Sequence, residues 1–117
     1  MLNLLAVLPG VVGASGPPDL LTLADGTRRP ATTAEILNAT KEHAIAANRA
    51  ECSSRIYARY PTGRQLSALA GLYDSANVAT MVDWIAANVA AENTAADAIE
   101  AATTVQTVEA VTVAWPV

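Results

Sequence analysis

Tyr60-Pro61-Thr62-Gly63-Arg64-Gln65-Leu66 interrupts a sequence otherwise rich in helix formers and divides it into two long segments. Pro61 and Gly63 end whatever helix precedes them, while Thr62 with Gln65 three residues on has the spacing of a capping box. The chain should therefore restart at once as a short helix. Its Leu66, Leu69, Ala70 and Tyr73 recur at i, i+3, i+4 and i+7, which places them on one face. Asp74-Ser75 closes that element and can cap the next.

Working outward, Pro30 stops the segment before it, and Thr32-Thr33-Ala34-Glu35 is a capping box. A helix from there runs free of Pro and Gly to about Tyr60, roughly 28 residues or about 42 Å. Ile36, Leu37, Ile45, Cys52, Ile56 and Tyr60 fall near one narrow stripe, suited to one or two partner helices. On the other side, a third helix is predicted over residues 76–102. Val78, Val82, Ile85, Val89, Glu92, Ala96 and Ile99 step by four and three, a heptad-like seam with Met81 and Trp84 beside it. Two long helices joined through a short one read as an antiparallel hairpin. Residues 103–110 allow one or two further turns. Val111-Thr-Val-Ala-Trp-Pro-Val then alternates like an edge strand, where Pro116 removes a donor.

Before the first helix, residues 4–8 and 20–23 read as short extended segments joined by a Gly- and Pro-rich linker over 9–18, and Asp25-Gly26 offers a turn. The opening stretch has no basic n-region and is broken by Pro9-Gly10, so it fits a secretory signal poorly. It is also far short of the roughly 20 apolar residues of a membrane span. The expectation is a mainly α chain: an extended N-terminal arm with short β segments (1–31), a helical hairpin body (32–102), and a short helix with an extended C-terminal tail (103–117). An arm so apolar and so aperiodic can hardly bury its side chains against itself, so it should pack on the helices or on a neighbouring chain.

Composition points the same way. Of 117 residues 52% are hydrophobic, but 26 are alanine, phenylalanine is absent, and only three tyrosines and two tryptophans supply rings. Thin, close helix packing follows, not a thick core. All seven basic residues lie at or before position 64, leaving +2 there and −6 over residues 65–117. That split suits a basic helix against an acidic one, or contacts between copies of the chain. The net charge of −4 argues against nucleic acid, for which Arg49, Arg55, Arg59 and Arg64 form the one candidate cluster.

Candidate chemistry is sparse. One Cys and one His cannot build a disulfide, structural zinc or a Cys/His nucleophile framework. Gly10, Gly13 and Gly16 lack the Gly-Lys-Ser/Thr of a phosphate loop, and Glu42, His43 and Glu51 have no metal spacing. Asp97 and Glu100 read as a solvated face, and Cys52 as a small core residue. No catalytic residue, metal or cofactor is expected.

Glu51-Cys-Ser-Ser-Arg-Ile-Tyr-Ala-Arg-Tyr-Pro-Thr-Gly-Arg-Gln-Leu-Ser-Ala-Leu, then Met81-Val-Asp-Trp-Ile and the closing Trp115-Pro116, resembles small virion proteins of tailed bacteriophages. The likeness spans about residues 49–116. It implies a structural, non-enzymatic role in a virion assembled in the host cytoplasm, most naturally tail-associated, with no catalytic residues to carry over. A capsid decoration or cement protein, or a soluble assembly adaptor, are the alternatives. Expected partners are copies of the chain and other virion proteins, with no nucleic acid, membrane or small-molecule substrate. The residues expected to make those contacts are Leu4, Leu5, Val7, Leu8, Leu20 and Leu21 of the arm, with Arg55, Arg59, Arg64, Trp84 and Trp115.

Overall fold

The computed structural model describes residues 11–15, 20–23 and 27–117. Three short strands, β1 (Val11–Ser15), β2 (Leu20–Leu23) and β3 (Arg28–Pro30), form an antiparallel sheet in the order β1-β2-β3. Four helices follow: α1 (Thr33–Arg59), α2 (Thr62–Leu69), α3 (Ser75–Ala101) and α4 (Val105–Ala110). The mainly helical hairpin with its short linking helix is thus present. Two strands differ from expectation. β1 occupies part of the supposed linker, with a register irregularity between Val11 and Gly13, and β3 uses Arg28–Pro30, two residues short of the helix. The expected segment over residues 4–8 lies outside the described residues.

The helix starts follow local chemistry. Thr32 Oγ1 accepts from the Glu35 amide at 3.1 Å while Glu35 Oε1 accepts from the Thr32 amide at 3.1 Å, closing the capping box at α1. Glu35 also receives both terminal nitrogens of Arg29, Nη2 to Oε2 at 2.6 Å, which ties β3 to the first turn of α1. Those bonds, the Arg29 guanidinium foremost, hold the Glu35 carboxyl down at about 2. At α3 the Asp74 carboxylate accepts from the Asn77 amide at 2.8 Å, and at α4 Thr104 accepts from Thr107.

The capping box expected at Thr62 does not form. Pro61 is the N-cap of α2 and makes no side-chain cap, and Gln65 instead donates from Nε2 to the Tyr60 carbonyl at 2.7 Å. Gln65 therefore closes the end of α1 rather than the start of α2. Gly71, with φ of 77°, ends α2 in a Schellman motif: its amide donates to Ala68 and that of Leu72 to Ser67, each at 3.1 Å.

The two long helices run antiparallel, fixed by Lys41 Nζ on the Glu100 carbonyl (2.8 Å) and Arg49 Nε beside Glu92 Oε1 (3.3 Å). The basic helix thus does face the acidic one. The buried stripe of α3 is Met81, Asn88, Glu92, Ala95 and Ile99, continuing to Ala102. This corrects the expected seam: Ile99 and Glu92 belong to it, whereas Val82 and Val89 are exposed. Each valine follows a buried residue and so points about 100° further round the helix.

Among the described residues, two small cores serve this rod. Leu21 of β2 packs on Ala39 with Leu23, Ala31 and Ile36, seating the sheet on the first turns of α1. Ile99, Ala102 and Val108 pack with Leu37, Ala44, Ile45 and Val111 where α3 ends and α4 folds back on α1. The principal extents are 61 × 27 × 20 Å. Its radius of gyration of 19.2 Å compares with about 13 Å for a compact chain of this length. No described helix is long and apolar enough to cross a membrane.

Candidate interaction site

Beyond α4 the chain leaves Val111 in the second core and runs back along α1 to Arg55 and Arg59. From Ile45 to Arg59 is about 21 Å of helix, and the six steps from Val111 to Val117 cover about 20 Å only when nearly straight. That explains the extended tail. It pairs with no strand among the described residues, so the edge-strand reading is corrected to an extended strap.

The strap ends in a clamp of cations and rings. Arg55 Nη2 donates to the Pro116 carbonyl at 3.1 Å, and its guanidinium lies 5.2 Å from the centre of the Trp115 ring. Arg59 Nη1 donates to the Val117 carbonyl at 3.4 Å, and the Trp84 indole donates to the same oxygen at 3.1 Å. Arg59 also covers the Trp84 ring at 4.6 Å and the Tyr60 ring at 5.7 Å, while Tyr60 and Trp84 meet edge to face. Each arginine thus serves a carbonyl through its N–H groups and an aromatic face through its plane, a pairing for which lysine is poorly shaped. Helical spacing explains the arrangement: Arg55 and Arg59 are one turn apart on α1, and the antiparallel register brings Trp84 alongside.

Four of the residues expected to make contacts, Arg55, Arg59, Trp84 and Trp115, are therefore gathered in one place, engaged with the chain's own tail. Arg64 stands apart, exposed beside an open groove of about 310 Å³ lined also by Tyr60, Ala68, Tyr73, Val78 and Met81. Leu21 is fully buried in the sheet core, so this chain already covers it. Leu20 is placed by its pairing with Ser15 and Pro30. Leu4, Leu5, Val7 and Leu8 lie outside the described residues.

The contact residues expected from the sequence leave out an apolar surface on and after α2. Leu66, Leu69 and Leu72 are 60%, 84% and 73% exposed, and Tyr73 beside them is also exposed. Only Ala68 of α2 is buried, so the face that the spacing of Leu66, Leu69 and Tyr73 defines points outward.

The seam between the long helices is the polar part of the interior. Asn88 is fully buried, its Nδ2 donating to the Trp84 carbonyl at 2.9 Å while Oδ1 has no partner. Glu92 Oε1 is buried too, near the Arg49 guanidinium but without hydrogen-bond geometry. Cys52 is a buried thiol, and burial above all, with the Glu92 charge, pushes its pKa up against the opposing pull of Arg55. That is an unreactive thiol environment. A shallow cleft gathers Glu42, Arg49 and Glu100 without Cys52, His43 or Glu51. Among the described residues no three of His, Cys, Asp and Glu come together as a metal site.

No protein-family model matches the chain, and neither a curated protein nor a solved structure matches it.

Proposed function

We propose that this chain is a non-enzymatic structural subunit of a tailed bacteriophage particle, tail-associated, which binds copies of itself and other virion proteins. The observation that carries the subunit reading is the uncovered apolar face of Leu66, Leu69, Leu72 and Tyr73 at one end of an elongated rod. Single exposed leucines are ordinary on a protein surface, but a contiguous group marks a contact surface. The placement in a phage particle rests on the sequence resemblance over residues 49–116, whose Arg-Ile, Tyr-Pro and Trp-Pro elements build the clamp and its surroundings.

Mass spectrometry of purified particles, with labelled antibody imaging, tests the assignment. Tens of copies located on the tail are the expected result. Hundreds of copies on the shell would make it a capsid decoration protein, and its absence from purified particles would overturn the virion reading in favour of an assembly adaptor.

A further inference from the structure

The two ends of the rod differ in kind. One carries the small sheet, whose Leu21 and Leu23 sit on the Ala39 level of α1. The other carries α2 with its exposed leucines and the adjoining groove, where Tyr60, Ala68, Tyr73, Val78 and Met81 share the lining with Arg64, Asn77 and Thr80. The sequence holds one other concentration of large apolar side chains without a described place, Leu2, Leu4, Leu5, Val7 and Leu8, and no charged residue occurs before Asp19.

We propose that residues 2–8 of one copy dock on the Leu66, Leu69, Leu72 and Tyr73 face of the next, so that the chain assembles head to tail. The inference rests on the structural-subunit reading and names its partner as a second copy.

Reach decides that the contact is between copies. The segment joins the sheet at Val11, which pairs with Leu23. From Ala39 to Tyr60 is about 32 Å of helix, and α2 lies beyond it. Leu8, Leu4 and Leu2 are three, seven and nine residues from Val11, so at full extension they travel about 11 Å, about 25 Å and about 32 Å. Even Leu2 then reaches only the level of Tyr60, so residues 2–8 as a segment cannot lie on the chain's own α2 face, whereas an identical face on a neighbour is in range. Joining two different patches makes a heterologous contact, which propagates into a ring or a filament.

Sedimentation velocity on the purified full-length protein and two variants tests this. One variant, Leu69→Asp with Leu72→Asp, spoils the face; the other, Leu4→Asp with Leu5→Asp, spoils the arm. Wild type should self-associate, and each variant alone should associate about tenfold or more weakly. Mixed together, they should form a one-to-one pair that grows no further, since only one intact arm meets one intact face. Far-UV dichroism should match wild type throughout, with Leu66→Asp as a second face variant should the first lose helix. A monomeric wild type, an arm variant that associates like wild type, or a mixture that restores nothing would overturn the proposal. Presence in purified particles with a monomeric wild type would sink this contact alone. Self-assembly with absence from particles would sink the virion reading alone.

Discussion

Replacing Trp115 by alanine tests whether the strap is held by its ring. The indole is half-buried and lies 5.2 Å from the Arg55 guanidinium. Truncating a fully buried large aromatic costs about 3–5 kcal/mol, so a half-buried one costs about 1.5–2.5 kcal/mol. The cation–π contact adds about 0.5–1 kcal/mol at a partly exposed site. The expected loss is then about 2–3.5 kcal/mol, which for a chain of this size lowers Tm by roughly 8–14 °C. Trp115→Phe keeps an aromatic face over Arg55 and should lose less than half as much. Since the chain has two tryptophans, both variants leave Trp84 as the sole tryptophan, and excitation at the red edge of the protein band reads its emission apart from the tyrosines. In the phenylalanine variant the strap stays docked and the Trp84 indole keeps its bond to the Val117 carbonyl. In the alanine variant the strap releases that bond, and Trp84 emission should move to longer wavelength. Equal stability and equal Trp84 emission in the two variants would refute the clamp.

Ile99→Ala removes the largest buried side chain of the α1–α3–α4 core and should cost about 2–4 kcal/mol in urea unfolding. Gly71→Ala forces a side chain into a φ of 77°, where nothing crowds the added methyl, so the backbone term of about 1 kcal/mol should be the whole effect. Glu35 gives a pH signature: with its folded pKa lowered to about 2 from 4.5, its stabilising bonds are fully present above 4.5 and are lost as pH falls toward 2. Glu35→Gln should flatten that acid limb in thermal melts between pH 5 and 2, and an unchanged slope would disprove the assignment. Cys52, buried and with a raised pKa, should react with iodoacetamide slowly in the native protein and at the rate of a free thiol in urea.

The interface in the candidate site is half legible in the sequence. Arg55, Arg59, Trp84 and Trp115 stand out as charged and aromatic residues of a poor composition, and the fold brings them within reach of one another. Their partner is not legible, because an arginine that could bond a neighbouring molecule can equally bond a carbonyl of its own chain. Similarly, the spacing of Leu66, Leu69 and Tyr73 shows a common face without showing which way it points. Orientation of an eight-residue helix depends on its two connections, here Pro61 and the Schellman turn at Gly71. The heptad-like spacing misplaces the seam of α3 by one residue at Val82 and Val89, since alanine and valine surround the axis and leave the apolar direction weak.

By sequence alone the chain determined its breaks and most of its starts: the Thr32–Glu35 box, the stop at Pro61, the Asp74 cap and one or two further turns within residues 103–110. Those are local interactions among residues a few positions apart, and they act whatever the rest of the chain does. Tertiary structure alone decided which face of α3 is buried, why Asn88 lies inside while Val89 lies outside, and where the tail docks. In an alanine-rich helix several faces are nearly equal in apolarity, so the choice falls to the shape and charge of what packs against it.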